Sequence, residues 1–184
     1  MPVHAVAPSP AVSAVARLLR SAPVVGVSGS RAPGGGCVRA VTWAVGQLAP
    51  GVSVVTGCAS GIDRVARGLV PSAFVLRACR YGRGRGSFAR RSTAVVRRVA
   101  ASGPGALWIS APGRACPHGL LPSASSSACF AGFGSGSWAS LALALGLGLG
   151  VRTLVWLPSG IAPPAGWGLS PLCAGQSGAW WSSL

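Results

Sequence analysis

Five short runs of β-branched and apolar residues alternate with longer segments of helical spacing, and this alternation constrains the fold most. The runs are VVGVSGS (24–30), VSVVTG (52–57), AFVLRA (73–78), ALWISAP (106–112) and RTLVWLP (152–158). Continuous apolar runs are typical of strands buried on both faces, and strands separated by helices pair in parallel. We therefore predict an α/β fold: a single Rossmann-like three-layer domain with a mainly parallel sheet.

The predicted domain covers residues 23–158, with one segment before it and one after it. Residues 1–22 are expected to form a lead-in whose helix runs from Pro10 to Ser21, because apolar side chains recur there on one helical face. Residues 159–184 are rich in Gly, Pro, Ser and Trp. We predict an irregular tail for that segment.

The most apolar stretch, Trp138 to Pro158, approaches the roughly 20 residues that span a bilayer. Arg152 and closely spaced glycines interrupt it, so we expect a buried helix followed by a buried strand. The N-terminus lacks the basic start and long apolar run of a secretory signal. These features predict a cytoplasmic protein without a membrane partner.

The charge and the cysteine content indicate which ligands the chain can bind. Sixteen basic residues face one acidic residue, a formal net charge of +15. Such a surface attracts polyanions, although the absence of Lys, Glu and Asn is also typical of GC-rich coding. Six cysteines without CxxC spacing and two histidines argue against a zinc site. We expect free thiols and no metal.

Three glycine-rich turns fall where strands end or helices begin: GSRAPGGG, TGCASGID and FGSGSW. Ligands of open parallel sheets bind outside the carboxyl ends of the strands. Glycine permits close backbone approach, and a helix N-terminus presents unpaired N–H groups to an anion. The turns predict a site for a nucleotide or other phosphorylated small molecule, and the alternative that they are only tight connections stays open.

Asp63 is the only carboxylate side chain in the chain. Its spacing from Ser60 predicts a capping box, in which Ser60 accepts from the Asp63 N–H and the carboxylate accepts from the Ser60 N–H. The alternative is that the carboxylate accepts a hydrogen bond from a ribose hydroxyl. The two roles are compatible, since a capped helix start fixes the carboxylate in place.

The segments VVGVSGSR, VVTGCASGIDRVA and SGSWASLALALGLG, in this order, resemble the motifs of the DprA/Smf and LOG group, the SLOG superfamily of Rossmann-like proteins. The resemblance extends over roughly residues 24–158. It implies a nucleotide-type ligand and no metal. The ligand-binding residues that it implies are Gly29, Ser30, Arg31, Gly57, Ser60, Gly61, Asp63, Gly134, Ser135, Gly136 and Ser137.

The chain departs from the enzymes of this group at one essential residue. LOG-type phosphoribohydrolases carry a glutamate shortly after the last glycine turn, where this chain has Trp138 to Leu141 and no glutamate anywhere. Without a carboxylate at the glycosidic bond, the hydrolysis lacks its general acid or base. We therefore assign no catalytic residue and expect a binding protein, with a phosphoribohydrolase relative as a further alternative.

DprA-type proteins bind single-stranded DNA and carry an Arg-Asn-Arg stretch before the last glycine turn, where this chain has PSASSSACFAGFGSGS. A basic segment, RACRYGRGRGSFARR (77–91), supplies another candidate, because arginines interleaved with aromatic residues suit single-stranded nucleic acid. Helical spacing also places Arg90, Arg91, Arg97 and Arg98 on one face. The nucleic-acid alternative therefore uses Arg80, Tyr81, Arg83, Arg85, Phe88, Arg90 and Arg91. The sequence leaves a homo-oligomer open.

Overall fold

The computed structural model describes residues 10–84, 86–148 and 150–183. The helices are α1 (Pro10–Ser21), α2 (Gly35–Gly46), α3 (Ile62–Leu69), α4 (Gly86–Ala100), α5 (Ser126–Cys129) and α6 (Gly136–Leu147). The strands are β1 (Val24–Gly29), β2 (Ser53–Gly57), β3 (Phe74–Leu76), β4 (Leu107–Ala111), β5 (Arg152–Pro158), β6 (Ser170–Gly175) and β7 (Gly178–Ser183). A single 3-10 turn, Ala78–Tyr81, follows β3 within the described residues. All five predicted strands are present.

The described strands form one sheet in the order β3-β2-β1-β4-β5-β7-β6. The first five are parallel, β7 is antiparallel to β5, and β6 is antiparallel to β7. The prediction of a Rossmann-like fold with a mainly parallel sheet is confirmed. Because the chain moves outward from β1 to β3 and then returns to β4, its winding reverses between β1 and β4.

The prediction of an irregular tail at 159–184 is wrong, because β6 and β7 extend the sheet beyond β5. In β7, buried and partly buried residues alternate, as expected for a strand with one face on the core. Trp180 packs against Trp156 with ring centroids 5.5 Å apart. The neighbouring Trp180 and Trp181 mask this alternation in the sequence, so the strand resembled loop composition.

The helices cover both faces of the sheet. One buried cluster lies beneath α1, α2 and α3, and the other lies beneath α4 and α6. Val15 and Leu19 of α1 are fully buried, as the helical spacing predicted. On the α4/α6 side, a Cβ added to Gly26 would overlap the Trp108 ring and lie 2.8 Å from a Val99 methyl group. The missing side chain at Gly26 in β1 therefore leaves the space in the core that the Trp108 indole of β4 fills.

The stretch from Trp138 to Pro158 forms the predicted helix and strand. α6 ends at Gly148, which has a φ of +59° in the left-handed region that favours glycine. Among the described residues, no helix is long and apolar enough to cross a membrane.

Candidate functional site

Three glycine-rich turns meet at one edge of the sheet. β1, β2 and β4 are parallel neighbours, so their carboxyl ends share this edge, and α6, which connects β4 to β5, begins there as well. A Cβ added to Gly29 would lie 2.6 Å from a β4 carbonyl oxygen, and one added to Gly113 would lie 2.9 Å from Ser30 Oγ. Arg114 donates a hydrogen bond to the Gly134 carbonyl and so joins the β4 loop to the turn before α6.

The turn after β1 is hydrogen-bonded to the turn after β2 and covers the start of α3. The Ile62 N–H, at the start of α3, donates to the Ser30 carbonyl at 3.0 Å. Ser60 Oγ donates to the Arg31 carbonyl at 3.3 Å. Gly61 has a φ of +68°, and a Cβ there would overlap the Ser30 carbonyl oxygen, so this position requires glycine. The first N–H of α3, which we expected to be open to an anion, therefore has a protein partner.

Asp63 does not form the predicted capping box. Its side chain is buried, with the residue only 4% exposed, and Oδ2 accepts from Arg91 Nη1 at 2.9 Å and from the Ala59 N–H at 3.2 Å. The N-cap of α3 is Gly61, which makes no side-chain cap bond. The capping-box prediction is wrong because the carboxylate turns towards α4, where it neutralises a buried guanidinium. The ribose contact stays a prediction.

Arg67 completes the closed turn. Its Nη1 donates to the carbonyl oxygens of Gly57 at 2.6 Å and of Ala59 at 3.1 Å. A Cβ added to Gly57 would overlap the Arg91 guanidinium, so the glycine makes room for a protein cation. Burial raises the pKa of Asp63, and attraction to Arg91, the Ala59 N–H and Arg67 opposes that rise.

β1 and β4 end side by side at this edge, a place that we call the crevice between β1 and β4, and two buried hydroxyl groups there lack partners. Ser28 and Ser110 are aligned neighbours in the β1/β4 register. Since Gly26 abuts Trp108 on the α4/α6 side, the two serines, two residues further along each strand, face the same side. Both hydroxyl oxygens are buried, and neither has a hydrogen-bond partner among the described residues.

Two helix N-termini lie at the same edge as this crevice. α2 begins after Gly34 and α6 after Ser135, and neither N-cap residue makes a side-chain cap bond. A Cβ added to Gly34 or Gly136 would have no atom within 4 Å. Ser135 and Ser137 hydroxyls lie 3.3 Å apart. The first N–H groups of a helix have no partner within it, so both termini favour an anion.

The basic segment is exposed along much of its length. Arg80, Arg83 and Arg90 are exposed, and Arg90 Nε donates to the Tyr81 carbonyl at 2.7 Å. Tyr81 is half-buried and packs against the core beneath α4, which removes part of its ring from solvent. Arg85 lies outside the described residues. The three exposed arginines have no carboxylate side chain beside them, since the single Asp of the sequence is buried with Arg91.

α4 carries its arginines in two environments. Arg97 and Arg98 are exposed, whereas Arg91 is only 5% exposed. The prediction that Arg91 lies on a solvent-facing arginine face is wrong, because it borders the valine face of the helix and pairs inward with Asp63. Phe88 is 45% exposed, and its ring centroid lies 5.9 Å from the Arg91 guanidinium.

Sequence reasoning missed four polar residues of this edge: Ser28, Ser110, Arg67 and Arg114. The first two were detectable, because each is the only hydroxyl within the apolar part of its strand and lies near the strand's end. Arg67 follows Asp63 by one helical turn, a spacing that predicts a contact between the two side chains, whereas Arg67 donates to the Gly57 and Ala59 carbonyls. Nothing in the sequence places Arg114 beside Gly134.

Two shallow cavities lie away from this edge. One, of about 460 Å³, is lined by Val24, Ser53, Arg97 and Arg98 among others, where the parallel strands begin. The other, of about 450 Å³, lies in the loop before β6 beside Trp181. The described residues contain no group of three or more His, Cys, Asp or Glu side chains that could hold a metal ion.

Comparison of the chain with protein-family models, with curated proteins and with solved structures found no match.

Proposed function

We propose that the chain binds a nucleotide or another phosphorylated small molecule in the crevice between β1 and β4. The observation that carries the proposal is the pair of aligned, buried hydroxyls without partners, Ser28 and Ser110. Burying an unpaired hydroxyl costs free energy, and an anion that displaced the atoms covering these hydroxyls would supply the missing acceptors. The crevice also lies where the winding of the sheet reverses, the usual ligand position of such folds.

The charges at this edge support an anionic ligand. Arg31 and Arg114 are exposed beside the crevice, and the N-termini of α2 and α6 add the positive ends of two helix dipoles. The order of the three motifs, which resembles that of the SLOG superfamily, favours the same ligand class. We therefore infer that Ser30, Gly134, Gly136 and Ser137 surround the phosphate.

The proposal does not include turnover. A glycosidic hydrolysis needs a carboxylate at the reacting bond, and the single carboxylate side chain of this sequence is buried against Arg91. A phosphoribohydrolase relative would have to work without that group. The binding role requires no further chemistry from the chain.

A second candidate is binding of single-stranded nucleic acid. The observation that favours it is a group of exposed arginines beside an exposed Phe88: Arg77, Arg80, Arg83 and Arg90. Phosphate neutralisation by arginine and stacking on an aromatic ring are the two parts of such binding. Arg91 is excluded from this surface by its buried position.

The test is mass spectrometry of small molecules released from the denatured, purified protein, followed by calorimetry with AMP, ADP and inorganic phosphate. Ser110→Ala is expected to weaken binding about tenfold or more, because a hydrogen bond to a charged group is lost. Ser182→Ala is the matched control, since Ser182 is also buried without a partner but lies in β7. Equal losses in both variants, or none in Ser110→Ala, would refute the crevice as the binding site.

A further inference from the structure

Two cysteines lie close together at the ends of neighbouring strands. Cys58 follows β2, and Cys79 lies in the 3-10 turn that follows β3. β2 and β3 are parallel with Gly57 opposite Leu76, so the residues after them leave the sheet side by side. The Ala78 N–H donates to Cys58 Sγ at 3.1 Å.

This hydrogen bond places the Cys58 sulfur next to the chain segment that carries Cys79. It fixes the Cys58 sulfur against the backbone of the residue before Cys79, and adjacent Cα atoms are about 3.8 Å apart. Disulfides join residues whose Cα atoms are roughly 4.4–6.8 Å apart. A disulfide between them requires the 3-10 turn to rotate until the two sulfur atoms are about 2 Å apart. The turn is followed by Gly82, whose φ of +98° lies in the left-handed region that favours glycine.

The exposure of the two thiols differs in a useful way. Cys79 is exposed and Cys58 is partly buried, so an oxidant reaches Cys79 first. Arg77 and Arg80 are exposed on either side of Cys79 and attract an anionic oxidant such as glutathione disulfide. An exposed thiol with a second thiol poised beside it is the arrangement of redox-sensitive cysteines.

The remaining four cysteines lack this arrangement. Burial raises the pKa of Cys37 and Cys129, and it raises the pKa of Cys116 to about 11, so burial disfavours the reactive thiolate form of these three residues. Cys173 lies in β6, at the opposite edge of the sheet from β3.

We propose that Cys58 and Cys79 form a reversible disulfide with glutathione disulfide as the oxidant. The Cys79 thiolate attacks a sulfur of glutathione disulfide, forming a mixed disulfide and releasing one glutathione thiolate. The Cys58 thiolate then attacks the Cys79 sulfur, forming the protein disulfide and releasing the second glutathione. Two electrons pass from the protein to the oxidant, and the two thiol protons are taken up by the two glutathione thiolates.

The bond would tie the turn after β2 to the basic turn after β3. Cys58 precedes Ala59, whose N–H donates to the Asp63 carboxylate, the partner of Arg91. Oxidation would therefore fix the segment that holds this carboxylate in place. The proposal concerns this segment alone and holds whether or not the crevice between β1 and β4 binds a nucleotide.

The test is a titration of the full chain in glutathione buffers of rising oxidised fraction, followed by alkylation of free thiols and tryptic digestion without reduction. Cleavage after arginine leaves Cys58 in the peptide of residues 40–64 and Cys79 in that of residues 78–80. We expect these two peptides to be linked, at least tenfold above any other linked pair. Persistent glutathione on Cys79 with Cys58 alkylated at every ratio would overturn the proposal.

Two variants separate the proposed bond from random oxidation. Cys79→Ser should abolish the linked pair and leave Cys58 unlinked, whereas Cys173→Ser should leave the pair unchanged. Circular dichroism and gel filtration of the oxidised chain should match those of the reduced chain. The proposal would also be overturned if the linked peptides form only in urea, or if Cys58 of the Cys79→Ser variant becomes linked to another cysteine.

Discussion

The turn after β2 and the turn before α6 are alike in sequence and opposite in use. Both combine glycines with serine near a helix start. After β2, the carbonyl groups of Gly57 and Ala59 accept from Arg67, and the Ala59 N–H donates to Asp63. Before α6, Gly136 is exposed, and the Ser135 hydroxyl contacts the hydroxyl of Ser137. The first turn is therefore closed by the protein, whereas the second keeps open space at Gly136 although Arg114 donates to its Gly134 carbonyl.

The difference shows what a glycine in such a turn signifies. A missing Cβ indicates that something approaches the backbone closely, but it does not say what approaches. At Gly57 the group is the Arg91 guanidinium, whereas a Cβ at Gly136 would have no atom within 4 Å. Because Arg91 and Asp63 fill the closed turn, a ligand contact of the kind inferred for Gly57 belongs more readily to the open turn.

The comparison predicts its largest effect from adding the same side chain to each turn. Gly57→Val should lower the free energy of unfolding by more than about 4 kcal/mol, since it displaces Arg91 and overpacks the strand end. Gly136→Val, at a helix start with open space, should cost less than about 1 kcal/mol. Urea denaturation of both variants measures the difference. Comparable losses would mean that the two turns are equally closed.

A smaller effect comes from the cation of the closed turn. Arg91→Met removes the hydrogen-bonded cation of the buried Asp63 carboxylate and should cost about 3 kcal/mol. Arg90→Met, on the exposed neighbour, should cost less than about 1 kcal/mol. Adding Asp63→Leu to Arg91→Met should recover part of the loss, because no unpaired charge then remains. If the double variant is less stable than Arg91→Met, packing and not charge makes Arg91 necessary.

Acid titration tests the closed turn through Asp63. Burial raises its folded pKa above the ordinary 3.8, so its contribution to stability is fully present below about pH 3.8 and is lost as pH rises through the folded pKa. The free energy of unfolding of the natural chain should therefore rise as pH falls from about 7 towards 4, relative to Asp63→Asn.

The comparison with Asp63→Asn cancels the titration of the terminal and histidine groups, which both chains share. Urea denaturation at several pH values provides the measurement. A natural chain that loses stability on acidification relative to Asp63→Asn would show that the attraction of Arg91 outweighs burial.

The sheet was predictable because its strands are signalled locally. Runs buried on both faces are mostly apolar, and β1, β2, β4 and β5 show this pattern. β3 lies at the edge of the sheet and is only partly buried. β7 escaped because a strand with one buried face is signalled only by alternation, which Trp180 and Trp181 mask. Local pattern therefore predicts the centre of such a sheet better than its antiparallel edge.

The site was predicted less well because its contacts join distant segments. Spacing placed Asp63 at a helix start, but its partner Arg91 lies 28 residues further along the chain. Sequence pattern placed Arg91 with its exposed neighbours, since a helical wheel does not show which border residue turns inward. The choice between capping and pairing depends on tertiary packing, which one segment does not specify.

The smallest effect that we predict is the difference in stability between removing a hydroxyl that has a hydrogen-bond partner and removing one that has none. Thr56 Oγ1 in β2 donates to the Val27 carbonyl at 2.8 Å, whereas the buried Ser110 hydroxyl has no partner among the described residues. Thr56→Val should therefore lower the free energy of unfolding by about 1 kcal/mol, as expected for one lost hydrogen bond. Ser110→Ala, measured without ligand, should raise it by up to about 1 kcal/mol, since a desolvated hydroxyl is removed.

Bound ligand should reverse the sign of the stability change caused by Ser110→Ala, but not of the change caused by Thr56→Val. If a phosphorylated ligand accepts from the Ser110 hydroxyl, the natural chain gains more stability from ADP than Ser110→Ala does. The reason is that the stabilisation by a ligand increases with its affinity for the folded chain. Thr56→Val should gain as much as the natural chain, since Thr56 donates within the sheet. Thermal denaturation with and without ADP gives both comparisons. A Ser110→Ala variant that is destabilised without ligand and responds fully to ADP would show that the crevice is a satisfied part of the core.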